Sequence, residues 1–404
     1  MSEITLKIPI GDALDRLSIL KIKLIKIEEE EKRCEVLKEL TLIENLLQEY
    51  ERKYEFHFKI LYKINQSIWN KLDEFKKLEH NNKNLSPNEK TKLILKQNQL
   101  FKDITNENDD RYRVKNKINI LCNSNLKEQK GYKLKHAFVL SHLGLGDNIC
   151  MIGLVRYLAT KYDKVKVVCK TCNQQNVQLI YADDPDIELY LVQDDCDISV
   201  PFEFDIKKFK KITENYDTYI AGHHIFDSKH NAYYPPDGAW RVYTDLPFNF
   251  YDDMKIDRNI FWDYYHISSE EMNDKDLYKL LFNEEINYIF IHSSSSIGQI
   301  FTLKDAEEYF NFSCNDILVI NPCENVYKKD HKFYDIAEKF INHSLFYYKT
   351  LIEKASKIIM SDSSFFCFSI CLKTDAEFIY IKPRDPTNYN LNNLNKINKY
   401  IYWP

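Results

Sequence analysis

Three short segments hold the residues best suited to chemistry, each following an apolar run. The first, His142-Leu143-Gly144-Leu145-Gly146-Asp147-Asn148, joins two glycines to an imidazole, a carboxylate and an amide. Glycine permits a tight turn and close backbone approach, and the free amides of a following helix form a local anion site. A helix start favours an ionised carboxylate, so Asp147 is a candidate proton acceptor; His142, Gly144, Gly146 and Asn148 shape its loop or meet an acceptor molecule. The same position suits an Asp that only caps the helix, and spacing alone does not separate the two roles.

The second segment, Ser361-Asp362-Ser363-Ser364-Phe365-Phe366, crowds hydroxyls and a carboxylate at one helix start, where they suit a diphosphate or sugar hydroxyls. Capping accounts for about one of these four polar residues. The third, His292-Ser293-Ser294-Ser295-Ser296, offers further donors to a phosphate, and a Ser-rich loop without function has the same composition. Lys328 and Lys329 are candidates to counter phosphate charge, Lys170 and Asn173 close a strand, and His223 with His224 would meet an acceptor sugar. Each of these also reads as an ordinary solvated loop or strand-end residue. Cys169 and Cys172 form a CxxC, but no second pair or nearby His completes a zinc site, so no metal is expected.

The elements that must position these groups follow from hydrophobic spacing. Leu14, Leu17, Leu20, Ile22, Leu24 and Ile27, then Leu37, Leu40, Ile43 and Leu47, recur at helical intervals, predicting a helical hairpin or coiled-coil module over residues 1–130. Ser86-Pro87 with Glu89 three residues on predicts a capping box that opens a further helix. From Lys135 the pattern becomes strand, loop, helix, strand: His136 to Ser141, a Gly-containing loop, Ile149 to Lys161, then Lys164 to Cys169. Strand-like runs at Ile187 to Val192 and Thr218 to Ala221 extend this α/β lobe, taken as residues 131–270. A second lobe, residues 271–404, shows strands at Tyr288 to His292, Ile317 to Ile320, Lys357 to Met360 and Phe378 to Ile381. Open α/β sheets bind ligands beyond the carboxyl ends of their strands, where all three polar segments fall.

Lys and Arg total 56 against 61 Asp and Glu, a net charge of −5, so no global basic surface exists for a nucleic-acid backbone. The N-terminus lacks a signal-peptide run and no stretch approaches the ~20 apolar residues that span a bilayer, so a cytoplasmic protein is expected. Its ten cysteines are then expected as reduced thiols.

In their order, these motifs resemble a known pattern. Residues 136–192, through His142 to Ile149 and then Gly153-Leu154-Val155-Arg156-Tyr157-Leu158, resemble a glycosyltransferase-like group related to glycosyltransferase family 9, the heptosyltransferase family. Asp362-Ser363-Ser364 sits where that family carries an Asp-Ser/Thr-Gly segment gripping the nucleotide-sugar donor. Where heptosyltransferases continue with a Gly and a His, this chain has Ser364 and the run Phe365 to Phe368. The resemblance implies a GT-B fold of two Rossmann-like lobes, the first on the acceptor side and the second on the nucleotide-sugar side. It also implies inverting, metal-independent sugar transfer to a glycan, lipid-linked or protein acceptor. Asp147 would be the general base, and the nucleotide sugar a co-substrate with no further cofactor. Ile8 to Leu20 resembles a short helical module of some bacterial and viral polysaccharide proteins, and such helices suit homo-oligomer formation. Two other readings fit the same motifs: a GT-B nucleotide-sugar epimerase, and a non-catalytic assembly scaffold with degenerate α/β lobes.

Overall fold

Helical spacing in the first part of the chain becomes four helices in the computed structural model. It describes residues 7–80, 86–126, 128, 131, 134–194, 211, 213–221, 226–227, 232–233, 244–268, 274–281, 286–384 and 389–403. The four are α1 (Ile10–Lys26), α2 (Glu30–Lys53), α3 (Glu55–His80) and α4 (Pro87–Leu121). The start of α4 follows its sequence: the Ser86 hydroxyl accepts from the Glu89 N–H, and the Glu89 carboxylate accepts from the Ser86 N–H at 2.8 Å. The helices form a packed group in which α1 meets α2, α3 and α4. Leu14, Leu17, Leu61, Val114 and Ile118 are buried between them, and each such side chain contributes about 1.5–3 kcal/mol.

Two units divide the chain. The first comprises Met1–Lys135, Leu158–Lys164 and Asp183–Asp186. Within it the second half of α4 buries charge alongside the apolar Val114 and Ile118. Lys117 Nζ donates to Asp184 Oδ2 at 2.8 Å, with the two side chains 2% and 3% exposed. Arg113 Nε donates to Asp163 at 3.0 Å, and Lys161 pairs with Asp110. Such pairs lose most of their attraction to desolvation, yet removing one partner strands the other without water.

The second unit, His136–Tyr157, Val165–Ala182 and Ile187–Pro404, carries two sheets. In the first, β1 (His136–Leu140), β2 (Lys164–Lys170), β3 (Ile187–Val192) and β4 (Asp217–Ile220) lie in the order β3-β2-β1-β4, with β1–β4 and β2–β3 pairing in parallel. Helices α5 (Leu145–Cys150), α6 (Ile152–Lys161) and α7 (Gln174–Ile180) connect these strands. A short antiparallel pair follows, β5 (Phe226–Asp227) with β6 (Ala232–Tyr233), and then α8 (Phe248–Asp253), α9 (Asn259–Tyr264) and α10 (Asp274–Lys279).

The second sheet is parallel throughout, in the order β10-β7-β11-β12-β13. Its strands are β7 (Tyr288–His292), β10 (Leu318–Ile320), β11 (Lys357–Ser361), β12 (Ile379–Lys382) and β13 (Tyr400–Tyr402). The small hairpin β8 (Ser294–Ser295) with β9 (Gly298–Gln299) leaves the end of β7. Helices α11 (Leu303–Phe310), α12 (Tyr334–Ala337), α13 (Lys349–Lys354), α14 (Ser364–Ser369) and α15 (Leu391–Leu394) complete the lobe. Every residue of β7 is buried, as is β11 after Lys357. A parallel sheet covered on both faces requires such unbroken apolar strands. The plan of two parallel α/β lobes preceded by helices is therefore the one the sequence predicts.

Candidate functional site

At the carboxyl end of β1 the polar loop is held from three sides. Leu143 inserts into a cluster with Phe138, Leu140, Val168 and Val192. Asn173 Nδ2 donates to the Leu143 carbonyl at 3.1 Å, and Asn148 Nδ2 donates to the Gly144 carbonyl at 2.9 Å. The helix begins at Leu145 rather than Ile149, so Gly146, Asp147 and Asn148 form its first turn instead of loop.

Asp147 is thereby the third helical residue, and its carboxylate accepts the Gly144 N–H. That is one half of a capping box, so the capping role is real. It is not the whole account. Burial pushes the carboxyl up to about 6, against the lowering effects of the Gly144 bond and of Arg384. The side chain still keeps 27% of its accessibility, so part of it remains open. His142 Nδ1 lies 3.8 Å from Asp147 Oδ1, and its ring meets Phe250 edge-on at 5.1 Å. A Cβ at position 144 would stand 2.6 Å from Asp147 Oδ2, so glycine there leaves the carboxylate its place.

The second lobe brings up a network that is largely internal. Ser361 Oγ donates to the Ser294 carbonyl, and Ser363 Oγ shares a 2.9 Å hydrogen bond with His292 Nδ1. The His292 ring lies against Phe365 at 4.3 Å, and burial pushes it down to about 4, leaving it neutral near pH 7. The Asp362 side chain is fully buried, and both of its oxygens accept from Arg384 Nε, at 3.0 and 3.1 Å. The main-chain N–H of Arg384 also donates to that carboxylate. Burial raises the Asp362 carboxyl, and the guanidinium opposes the rise. Arg384 Nη1 donates to Ser296 Oγ at 3.3 Å, and none of the described contacts uses Nη2.

Helices α5 and α14 touch. A Cβ on Gly146 would lie 3.1 Å from Cys367 Sγ and 3.5 Å from Ser364 Cα, so no ligand fits between those two helix starts. Asp147 and the 35%-exposed Arg384 lie beside this contact, close enough for each charge to act on the other. The first and second polar segments are thus brought together. Their open chemistry is a carboxyl from one lobe and a guanidinium from the other.

The remaining candidates are distributed differently. Ser293 is buried, with its carbonyl accepting the Ile300 N–H at 2.8 Å, and Ser364 is half-buried at the head of α14. Lys170 is half-buried at the end of β2. Lys328 is exposed in the loop after the edge strand β10, and the described contacts do not bring it to Asp147 or Arg384. His223 and His224 lie outside the described residues. Among the described residues no group of three or more His, Cys, Asp or Glu is placed to hold a metal ion, and no helix is long and apolar enough to cross a membrane.

Sequence reasoning missed Arg384. A usable signal was there: it is the sole arginine of residues 271–404, in a stretch otherwise rich in lysine, and it follows a strand directly. A planar guanidinium with donors in fixed directions sets geometry, whereas lysine acts as a point charge.

No family model and no curated protein matches the chain. Among solved structures it is similar to a glycosyl transferase family 9 protein from Veillonella parvula DSM 2008, at 11% identity and TM-score 0.36, over 68% of this chain and 88% of that one. It is also similar to the ADP-heptose LPS heptosyltransferase II of E. coli, at 12% identity and TM-score 0.39, over 66% of this chain and 90% of that one.

Proposed function

We propose that the protein is a glycosyltransferase that moves a sugar from a nucleotide-diphosphate donor to a glycan, lipid-linked or protein acceptor, with inversion and without a catalytic metal. The observation that carries this reading is the Asp147 carboxyl, raised to about 6 yet still accessible, beside a braced arginine from the other lobe. A carboxylate with that proton affinity is ionised near pH 7 and is a stronger base than an ordinary aspartate, which suits removal of a proton from an acceptor hydroxyl. The leaving diphosphate needs positive charge held in place, and the Nη2 edge of Arg384 offers it without reorganisation. Asp362, Ser361, Ser363 and His292 serve as the frame that aims Arg384 and the head of α14, more than as direct donor contacts.

The decisive experiment pairs Asp147→Asn with a screen of nucleotide sugars by thermal shift. A donor found this way should still stabilise the variant, while transfer falls by a factor on the order of 10²–10⁴, the usual worth of a general base. Unchanged turnover by the variant would remove Asp147 from the role. Conversion of the donor alone to an isomeric sugar would replace the reading with epimerisation, and binding of no nucleotide would leave a scaffold.

A further inference from the structure

The segment Ile8 to Leu20 carries none of the residues assigned above to sugar transfer, yet most of its first helix is buried. Around α1, Gly11, Ala13, Leu14, Asp15, Leu17, Ser18, Leu20 and Ile22 are all buried. One face stays open, with Asp12, Arg16, Ile19 and Lys23 spaced at helical intervals of four, three and four. These side chains floor a cavity of about 420 Å³, walled by Glu39 of α2 and Arg111 of α4. That volume lies within the usual range for small-molecule sites, roughly 300–1,000 Å³, and exceeds what a bare phosphate fills.

We infer that this cavity is a ligand site for a small molecule of about monosaccharide size carrying a phosphate or carboxylate. The first support is the frame beneath it. Asp15 is 5% exposed, and its carboxylate accepts from Arg111 Nε at 2.8 Å, from Arg111 Nη2, and from Asn65 Nδ2 at 2.8 Å. Asn65 Nδ2 also donates to Ser18 Oγ at 2.7 Å, and Ser18 and Asn65 are themselves buried. Packing helices together requires none of these groups, and each costs desolvation unless it is fully paired. What the network achieves is to hold one guanidinium side-on, with Nη1 in no described contact.

The second support is the balance of open valences. The acids around the cavity are already satisfied: Asp12 accepts from Lys115 Nζ at 2.8 Å, Asp15 from Arg111, and Glu39 from Arg16. Two of the cations are paired by these same contacts, but their N–H groups outnumber the bonds made. Arg16 directs both Nε and Nη2 at a single oxygen of Glu39, and the Lys23 ammonium has no partner among the described residues. Arg111, Arg16 and Lys23 therefore face one space with donors to spare, and an oxyanion is the chemistry that matches them. Ile19 and Leu20 supply an apolar wall for the body of the ligand.

The test is isothermal titration of the full chain at low salt with glucose 6-phosphate, glucuronate, inorganic phosphate and glucose. Arg16→Gln and Lys23→Met carry the argument because Arg16 is 63% exposed and Lys23 half-exposed, so neither should disturb the fold. Saturable binding of glucose 6-phosphate or glucuronate, but not of glucose, is expected. Each variant should weaken it roughly tenfold, or about 1.4 kcal/mol, and Asp147→Asn should leave it unchanged. Whichever of the two sugars binds more tightly names the anion. No saturable heat from either at ~10 mM, far above ordinary ligand affinities, overturns the site. So does binding that survives both variants, or that is lost with Asp147→Asn. Equal affinity for inorganic phosphate would overturn the sugar-sized ligand.

Discussion

Replacing Asp147 with Asn separates its two roles by the sign of a stability change. A carboxyl that ordinarily titrates at 3.8 and is raised to about 6 on folding binds its proton more tightly in the folded chain. Relative to a neutral side chain it therefore costs nothing below pH 3.8, and as pH climbs to about 6 a cost builds to about 3 kcal/mol of folding stability and stays there. Asn carries no charge and removes that cost. It also weakens the bond to the Gly144 N–H, and a lost cap costs about 1 kcal/mol. The net expectation near pH 8 is a variant more stable by about 2 kcal/mol, or roughly 4–8 °C in Tm for a unit of this size. Near pH 4 the gain should disappear and leave only the cap loss, about 1 kcal/mol. Urea unfolding of both proteins across this range measures the difference directly. A residue that only caps its helix predicts the opposite: a variant less stable near pH 8. That result, or a difference that does not vary with pH, would refute the reasoning and with it the idea that the fold bears a penalty to keep a base in place.

Further outcomes follow from other contacts. Gly144→Ala should leave the fold intact, since the atom it meets is the end of a side chain, but should displace the carboxylate and lower transfer by about tenfold or more, measured as kcat/KM. Arg384→Met should weaken nucleoside-diphosphate binding by about 2 kcal/mol, the range for a charged hydrogen-bond donor, and Arg384→Lys should rescue little of it because one ammonium cannot bond both Asp362 and Ser296 and still present a further N–H edge; calorimetry reads both. For Lys117→Met, Asp184 is left buried without its partner, so stability to urea should fall by about 3–5 kcal/mol. The rate of transfer should rise with pH through about 6 and then level off, and a profile flat from pH 5 to 8 would contradict Asp147 as the base.

Much of the fold was legible because its strands are buried on both faces. Tyr288 to Ile291 and Ile358 to Met360 stand out as short unbroken apolar runs, which parallel packing demands. The edge strand Tyr400–Tyr402 escaped notice: three residues with alternating burial, near the chain end, carry too little pattern. The start of α5 was misplaced because two glycines read as loop, whereas here glycine is needed for closeness, at 144 to the Asp147 carboxylate and at 146 to α14. Arg384 was invisible for a different reason. Its role depends on Asp362, 22 residues earlier, and no local rule connects two such positions. The serines were overvalued for the same reason, since composition counts hydroxyls without showing that Ser361 and Ser363 are already bonded inside the protein.

The bare Cα of Gly146 has a mechanical consequence. With no side chain of its own, this residue lets α5 settle directly onto Cys367 Sγ and the Ser364 backbone, so the contact between the two sheets has no slack at that point. A methyl group at position 146 would act as a wedge there, prising apart the elements that carry Asp147 and Arg384.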